Sequence, residues 1–225
     1  MVNPVIVAID GPSGTGKSST SRAVAARLGL SYLDTGAQYR AITWWMLNNG
    51  VDVNDPVAVA DSAGKPAIFS GIDPAAPAIT VDGEDASGPI RTQEVTAAVS
   101  AVSAVPEVRA RMVEFQRAVT AAASGGIVVE GRDIGTTVLP DATVKIFLTA
   151  SAEARAARRS GELNGTQSVA DTQAALIRRD AADSGRKTSP LAKAADALEV
   201  DTTQLTLDEV IERVVTLVEG KRATL

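Results

Sequence analysis

The sequence predicts an α/β fold in which a parallel sheet is covered by helices on both faces. Short apolar runs rich in β-branched residues alternate with longer helical segments along most of the chain. The first of these runs leads directly into a glycine-rich loop and then into a helix, the order expected of a strand–helix unit. With 225 residues, of which 45% are hydrophobic and 22% charged, the chain is long enough to bury a substantial core.

The individual elements follow from the period of the apolar residues. Strands are predicted at the apolar runs 5–10, 31–33, 127–130, 144–148 and 197–200. Helices are predicted at the segments 17–28, 37–49, 106–124, 152–160, 169–183 and 207–219. Pro106 suits the first position of its helix, and Thr206 with Glu209 has the spacing of a capping box. These start signals support helices at both places.

The stretch at about 64–90 departs from this alternation. It is rich in Pro, Gly and Asp, and it contains short alternating runs at 67–70, 78–81 and 84–86. Such runs between turn residues predict a small antiparallel sheet. We interpret the stretch as an inserted subdomain, closed by a helix that begins near Gln93.

Composition excludes several kinds of chemistry. The chain has no cysteine and no histidine, which excludes disulfides, thiolate catalysis, zinc–thiolate sites and triads that need an imidazole. A net charge of −5 and a pI near 4.9 argue against a nucleic-acid polymer or an anionic membrane as partner. Neither a bilayer-spanning run nor a signal-peptide pattern is present, so we expect a cytoplasmic protein.

The segment 11–18 carries the strongest functional signal, because it matches G-x-x-x-x-G-K-[ST] between a predicted strand and a predicted helix. In such a loop the backbone N–H groups surround the phosphates of a nucleoside triphosphate, and the helix N-terminus faces them. Lys17 is expected to bridge the β- and γ-phosphates, and the Ser18 hydroxyl is expected to ligate Mg²⁺. The predicted ATP-binding residues are Gly11, Pro12, Ser13, Gly14, Thr15, Gly16, Lys17, Ser18 and Ser19.

Two further segments point to a second anion. The segment 34–40 follows a predicted strand and brings Arg40 into the first turns of a helix, and 130–133 ends another strand with Arg132. Open α/β sheets bind ligands at this edge, and arginine matches phosphate oxygens bidentately. The pair therefore indicates a second phosphorylated substrate. A GTPase switch is disfavoured, because N-K-x-D is absent and the D-x-x-G match at 85–88 falls inside the insert.

A polar stretch at 161–168 lies between two helices that carry several arginines. These arginines are Arg155, Arg158, Arg159, Arg178 and Arg179. A polar loop with such flanks is typical of a lid that closes over transferring phosphates, and an ordinary surface loop is the alternative.

The chain resembles the bacterial cytidylate kinases, a family of nucleoside monophosphate kinases, over nearly its whole length. The matching segments are 9–18, 34–40, 83–85, 90–95, 131–136, 144–148 and 179–191. The resemblance implies a P-loop kinase-type parallel sheet with a small antiparallel insert and a mobile lid. It implies one unit over 1–225, with the core at 1–35, 125–155 and 190–225, the monophosphate-binding region at about 36–124 and the lid at about 156–170.

The implied reaction is transfer of the ATP γ-phosphoryl, with Mg²⁺, to CMP or dCMP in pyrimidine nucleotide metabolism, by an enzyme expected to be a monomer. Carried over residue by residue, the family places Arg40, Arg132 and Arg186 at the acceptor phosphate. It places Ser100, Arg109 and Asp133 at the cytosine, Arg179 and Asp183 at the ribose, and Thr35 at a position where serine is common. Lys17 and Arg132, with Arg155 or Arg158 from the lid, are the expected catalytic residues.

The chain departs from the family pattern at two more positions. Glu130 stands where aspartate is common, and Ala182 stands where some relatives carry another arginine. Two rival functions stay open at this point: a kinase for another nucleotide or small anionic acceptor, and a nucleotide-dependent switch or assembly ATPase with no acceptor.

Overall fold

The computed structural model describes residues 4–162 and 168–223. Its strands are β1 (Ile6–Asp10), β2 (Ser31–Asp34), β3 (Ile68–Ser70), β4 (Ile79–Val81), β5 (Glu84–Asp85), β6 (Ile127–Glu130), β7 (Val144–Thr149) and β8 (Leu198–Asp201). Its α-helices are α1 (Lys17–Leu28), α2 (Thr35–Asn48), α3 (Pro56–Ser62), α4 (Gln93–Val102), α5 (Pro106–Ala122), α6 (Ala152–Glu162), α7 (Val169–Ser184) and α8 (Leu207–Arg222). The predicted alternation of strands and helices is confirmed.

The main sheet has five strands in the order β2-β6-β1-β7-β8, and every neighbouring pair is parallel. In the register of this sheet Asp34 pairs with Glu130, and Ile9 pairs with Glu130 from the other side. The carboxyl ends of β1, β2 and β6 therefore meet at one edge. The glycine-rich loop, Asp34 and Glu130 all leave the sheet at this edge, where α/β sheets bind their ligands.

Alternate residues of each strand face opposite layers of helices. Val7 and Ile9 of β1 lie in a core with α1 and α8, whereas Ala8 lies in a second core to which Val113 and Val119 of α5 contribute. Each buried valine or isoleucine contributes about 1.5–3 kcal/mol by leaving water. The sheet is thus a rigid support for the edge that carries the site.

A second module, built from helices α2 to α5 and the small sheet β3-β4-β5, lies beside the main sheet. The small sheet is antiparallel, as predicted, with Ile68 opposite Val81 and Thr80 opposite Asp85. Asp82 and Gly83 turn the chain between β4 and β5, both with positive φ (52° and 87°), a combination typical of Asp-Gly hairpins. The Asp82 carboxylate also accepts a hydrogen bond from the Trp45 indole at 2.7 Å, which ties the sheet to α2.

Three local features were not predicted. Helix α3 is only seven residues long, too short for a periodic signal, and it begins with an Asp55 cap and Pro56. Helix α2 begins at Thr35 instead of residue 37, because the Asp34 side chain accepts a hydrogen bond from the Ala37 N–H at 2.9 Å. A π-helical turn at Ile134–Val138 follows β6, and a buried carboxylate accepts hydrogen bonds from its first two amides.

The predicted lid at about 156–170 takes in the end of α6 and the start of α7. Its residues 163–167 lie outside the described residues. Within 4–162 and 168–223, no helix combines the length and the apolar character needed to span a bilayer.

Candidate active site

A cavity of about 430 Å³ opens at the carboxyl edge of the main sheet. The predicted site residues that line it are Ser13, Gly14, Gly16, Lys17, Ser18, Ser19, Thr35, Arg40, Ser100, Arg109, Arg132, Asp133, Arg179, Asp183 and Arg186. Among the described residues, the predicted site residues outside its lining are Gly11, Pro12, Thr15, Arg155 and Arg158. Residues as far apart in sequence as Ser13 and Arg186 therefore share one pocket.

The glycine-rich loop forms one wall of the cavity from its backbone. Gly14 and Gly16 have φ of +79° and +84°, which turns the chain so that α1 starts at Lys17 with its N-terminus toward the cavity. Gly11 is required for a different reason, since a Cβ there would lie 2.2 Å from the Leu148 carbonyl oxygen of β7. The loop is held close to the sheet at its start and presents a helix N-terminus at its end.

Lys17 is the cation of this wall. Its Nζ donates a hydrogen bond to the Pro12 carbonyl at 2.6 Å, across the loop. Burial and the nearby Arg132 charge lower the pKa of Lys17, while Glu130 acts in the opposite direction. An anion bound in the loop would offset the unfavourable burial of this ammonium, because it would place a negative charge beside it.

Glu130 faces the same end of the cavity and is held from behind by Tyr32. The Tyr32 hydroxyl donates to Glu130 Oε1 at 2.7 Å, and both residues are buried. Oε2 makes no hydrogen bond of good geometry within the described chain, although Ser18 lies beside the carboxylate. Burial, with a smaller contribution from the Asp34 charge, raises the pKa of Glu130 to about 7, and the Lys17 charge opposes the rise.

The opposite wall is made of arginine side chains. Arg132 donates through Nε to Asp183 at 3.0 Å and through Nη2 to Ser13 Oγ at 2.7 Å. Arg186 pairs with the other oxygen of Asp183, so this carboxylate lies between two guanidinium groups. Arg40 is anchored by the Ile90 carbonyl at 3.1 Å and the Thr96 hydroxyl at 2.9 Å.

These arginines repel one another. Burial and the charges of Arg132, Arg40 and Arg159 together lower the pKa of Arg179 to about 9. Burial also lowers the pKa of Arg40 to about 10, with Arg159 and Arg132 again contributing. A cluster of partly buried cations that repel one another favours a polyanion as its ligand.

The lining of the cavity also includes a buried ion pair between Arg109 and Asp133. The Arg109 guanidinium lies over the Tyr39 ring, 5.5 Å from its centre, and Nη1 donates to the Ser103 carbonyl at 3.4 Å. The Ser103 hydroxyl in turn accepts a hydrogen bond from Arg186 at 2.9 Å. Burial raises the pKa of Asp133, and the Arg109 charge opposes the rise. The arrangement offers donors and acceptors at fixed positions, as recognition of a heterocyclic base requires.

Asp10 joins the two walls. It is the last residue of β1, and its Oδ1 and Oδ2 accept hydrogen bonds from the Ile134 and Gly135 N–H groups at 2.9 and 2.8 Å. These amides open the π-helical turn that follows Arg132 and Asp133. Burial raises the pKa of Asp10 to about 6, although both backbone hydrogen bonds lower it. The strand that leads into the phosphate loop therefore also holds the loop that carries the acceptor-side residues.

The arginines of α6 have different partners. Arg158 donates to the Thr202 hydroxyl at 2.9 Å and to neighbouring carbonyls, and Arg155 donates to the Ser13 carbonyl at 3.0 Å and pairs with Asp180. The arginine of α6 that lines the cavity is Arg159, which pairs with Glu162 at 2.7 Å.

Sequence reasoning missed Asp10, Tyr32, Ser103 and Arg159 as parts of the site. Asp10 directly precedes the glycine-rich motif, which is a usable signal. Tyr32 could be connected to Glu130 only through the parallel register of β2 and β6. Ser103 and Arg159 carry no motif of their own.

A backbone-built phosphate loop and an arginine-lined wall in one cavity, at the carboxyl edge of a parallel sheet, define a P-loop kinase. The profile of the cytidylate kinase family matches residues 7–220. The chain belongs to the cytidylate kinase family.

Three similar proteins illustrate this relationship. The cytidylate kinase of Streptomyces griseus subsp. griseus is 79% identical over 97% of this chain and 94% of its own length. The cytidylate kinase of Nocardia farcinica is 53% identical over 98% of this chain and 96% of its own. A crystal structure of an uncharacterized protein from Eubacterium ventriosum shares the fold, with a TM-score of 0.53, 10% identity and coverage of 96% and 98% of the two chains.

Proposed function

We propose that this chain transfers the γ-phosphoryl group of ATP to CMP or dCMP, giving ADP and the pyrimidine nucleoside diphosphate. One observation carries the proposal: the phosphate loop, the arginine side chains and the buried Arg109–Asp133 pair line one cavity at the carboxyl edge of the main sheet. The close relatives reported above bear the name cytidylate kinase, which agrees with this layout.

On the donor side, the segment 11–18 with Ser19 would hold the ATP phosphates, and Lys17 would contact the β- and γ-phosphates. Ser18 would hold Mg²⁺ together with phosphate oxygens. The second oxygen of Glu130 would accept a hydrogen bond from a water bound to that ion. The residues fit this ion, since Mg²⁺ is bound through one or two protein oxygens plus phosphates, and Ser18 and the second oxygen of Glu130 both lie at the cavity. When bound, the ion neutralises charge on the triphosphate.

On the acceptor side, Arg40, Arg132 and Arg186 would hold the phosphate of the monophosphate. Their mutual repulsion, together with Arg179, favours binding of a dianion over an empty pocket. Thr35, whose hydroxyl donates to the Glu130 carbonyl at 2.7 Å, would close the side of this pocket nearest the sheet.

The nucleoside part of the acceptor would fill the part of the cavity that Arg109 and Asp133 line. Ser100, Arg109 and Asp133 would read the cytosine edge, because a carboxylate accepts from the exocyclic amino group while the arginine donates to the ring acceptors. Asp183 and Arg179 would reach the sugar hydroxyls. The Asp183 oxygens already accept from Arg132 and Arg186, and each oxygen has a second lone pair for a hydroxyl.

The chemical step then needs alignment and charge compensation. An oxygen of the acceptor phosphate attacks the γ-phosphorus while the bond to the β-phosphate oxygen breaks, and negative charge spreads over the transferring group. Lys17 and Arg132 lie where they can follow that charge, since Arg132 already contacts Ser13 of the phosphate loop. Arg155 and Arg158, the predicted lid residues, would have to leave their present partners to take part, whereas Arg159 already lines the cavity.

The division of labour along the chain follows from this assignment. The core at 1–35, 125–155 and 190–225 would hold the donor, the region at about 36–124 would hold the monophosphate, and the segment at about 156–170 would act as the lid that excludes water. We expect a monomer, because every group assigned to the reaction comes from this one chain, and the absence of a signal-peptide pattern in the sequence remains our reason to expect a cytoplasmic location.

An ADP-release assay over a panel of acceptors tests the proposal. With ATP and Mg²⁺, CMP and dCMP should stimulate ADP formation by orders of magnitude over the rate without acceptor, and UMP, AMP and small anionic metabolites should do so much less. A different best acceptor would replace the pyrimidine assignment, and ATP turnover that ignores every acceptor would replace the kinase by a switch or assembly ATPase.

A further inference from the structure

Ser13, in the middle of the phosphate loop, is held by side chains from three separate parts of the fold. Its N–H donates to Asp180 Oδ1 of α7 at 3.1 Å. Its carbonyl accepts from Arg155 Nη1 of α6 at 3.0 Å, and its hydroxyl accepts from Arg132 Nη2 at 2.7 Å. Every polar group of this residue therefore has a partner outside the loop.

Asp180 and Arg155 form the inner part of this arrangement. They pair with each other, and their side chains are only 18% and 10% exposed. Arg155 also packs directly against the loop, since a Cβ built on Gly14 would lie 3.2 Å from Arg155 Cβ and 3.3 Å from its carbonyl oxygen. The Asp180–Arg155 pair therefore holds the loop from outside the cavity, an arrangement that we call the grip. Neither residue is among the described residues that line the cavity.

The position of the grip has a consequence for the anion site. Asp180 accepts the hydrogen bond of the Ser13 N–H, and Ser13 lines the cavity together with Gly14, Gly16, Lys17 and Ser18. Fixing Ser13 reduces the conformational freedom that the loop would otherwise lose when it surrounds a triphosphate.

We propose that Asp180, with Arg155 as its partner, is a positioning residue that preorganises the phosphate loop for ATP. The proposal rests on the proposed function, since it takes ATP to be the ligand of that loop. Removal of the Asp180 contact should weaken ATP binding and change acceptor binding much less, because Arg132 keeps its Asp183 partner when Ser13 is loosened and Arg40 keeps Ile90 and Thr96.

The test compares Asp180→Asn and Asp180→Ala with Asp171→Asn, a matched change near the exposed start of the same helix. ADP release is measured with ATP varied at saturating CMP, and then with CMP varied at saturating ATP. Asp180→Asn should raise KM for ATP about 10-fold with KM for CMP within about 2-fold, and Asp180→Ala should raise it more, because alanine also removes the acceptor of the Ser13 N–H. Asp171→Asn should match the wild type.

A double-mutant cycle with Arg155→Met separates positioning from direct catalysis. If Arg155 acts through Asp180, the double variant should be little worse than the worse single variant, with the loss in KM for ATP. Multiplying losses that appear in kcat would show that Arg155 acts on the transferring phosphoryl itself and would overturn the proposal.

The readouts stay informative if a variant folds poorly, because KM does not depend on the fraction of active protein. A wild-type protein without CMP-dependent ADP release would reject the proposed function. Two outcomes in an active enzyme would reject the positioning role alone. In the first, KM for ATP is unchanged in Asp180→Ala; in the second, KM for CMP rises as much as KM for ATP.

Discussion

The two walls of the cavity are built by different means. The wall formed by the phosphate loop, which we call the donor wall because we propose that it binds ATP, comes from one continuous segment, 11–18. This segment offers an anion mostly backbone amides and a helix N-terminus. The acceptor wall takes Arg40 from α2, Arg109 from α5, Arg132 from the loop after β6 and Arg186 from beyond α7. A backbone site is local in sequence, whereas a side-chain site is assembled by the tertiary fold.

The walls also differ in how their charge is balanced. On the acceptor side Asp183 and Asp133 neutralise part of the arginine charge, and each carboxylate is buried with its guanidinium partner. On the donor side Lys17 has a carbonyl as its hydrogen-bond partner, and Glu130 acts on it through charge. Loss of one donor-side cation should therefore affect the chemistry, and loss of one acceptor-side carboxylate should affect binding.

The largest effect is expected from Lys17→Ala. The variant should lower kcat by about 1,000-fold, or roughly 4 kcal/mol, since it removes the cation nearest the proposed triphosphate. The fold should survive, because the change also removes a buried ammonium whose burial is unfavourable. An ADP-release assay measures kcat, and thermal melting measures the stability of the fold.

Lys193→Ala is the control for Lys17→Ala. Lys193 is half-exposed and pairs with Glu199 away from the cavity, so its removal should leave kcat unchanged. Near-normal turnover in Lys17→Ala would show that the Lys17 ammonium does not contribute to catalysis.

An intermediate effect is expected from Asp183→Ala on the acceptor wall. It should raise KM for CMP by about 10- to 100-fold, or roughly 1.4 to 2.8 kcal/mol, because Arg132 and Arg186 lose their shared partner. KM for ATP should change by less than about 3-fold. Asp171→Ala, on the same helix, serves as the matched control.

The difference between the two walls would be disproved by the opposite pattern. If Asp183→Ala left KM for both CMP and dCMP unchanged, or if it lowered kcat alone, the acceptor wall would not bind through this carboxylate.

The smallest effect is expected at Asp10, which joins the walls. Its pKa is about 6 in the folded protein and 3.8 as the ordinary value, so the folded state holds the proton more tightly. This group's contribution to stability is complete below the unfolded pKa and is lost as pH rises through the folded pKa. The free energy of unfolding should therefore fall by about 1.4 kcal/mol between about pH 5 and pH 7 because of this residue.

Urea unfolding followed by the fluorescence of Trp44 and Trp45 measures this slope. Asp10→Asn removes the titration and keeps the side-chain shape, so the difference between wild type and variant isolates the residue. Parallel curves for the two proteins over this range would show that Asp10 does not titrate there.

The fold could be predicted in large part because its signals are local. Alternating apolar runs placed the strands of both sheets, and the Asp-Gly turn and the Thr206 capping box act within a few residues. The same holds for the phosphate loop, whose glycines and Lys17 are adjacent in sequence. The hydrogen bonds that hold the start of the π-helical turn could not be predicted, because they come from Asp10, a residue 124 positions away from Ile134.

The lid arginines show the limit of local reasoning. Arg155, Arg158 and Arg159 are spaced i, i+3 and i+4, so they share one face of α6 and the sequence does not choose among them. The fold separates them: Asp180 and Ser13 hold Arg155, Thr202 holds Arg158, and Arg159 lines the cavity.

By itself, the sequence determined the α/β sheet, the antiparallel insert and the phosphate loop, since strand period, turn residues and a contiguous glycine motif act over short distances. Only the tertiary structure decided which cations meet in the cavity and which carboxylates hold them. The physical reason is that ion pairs such as Arg109–Asp133 and Arg155–Asp180 join separate elements, and their partners are selected by packing and burial instead of by spacing along the chain.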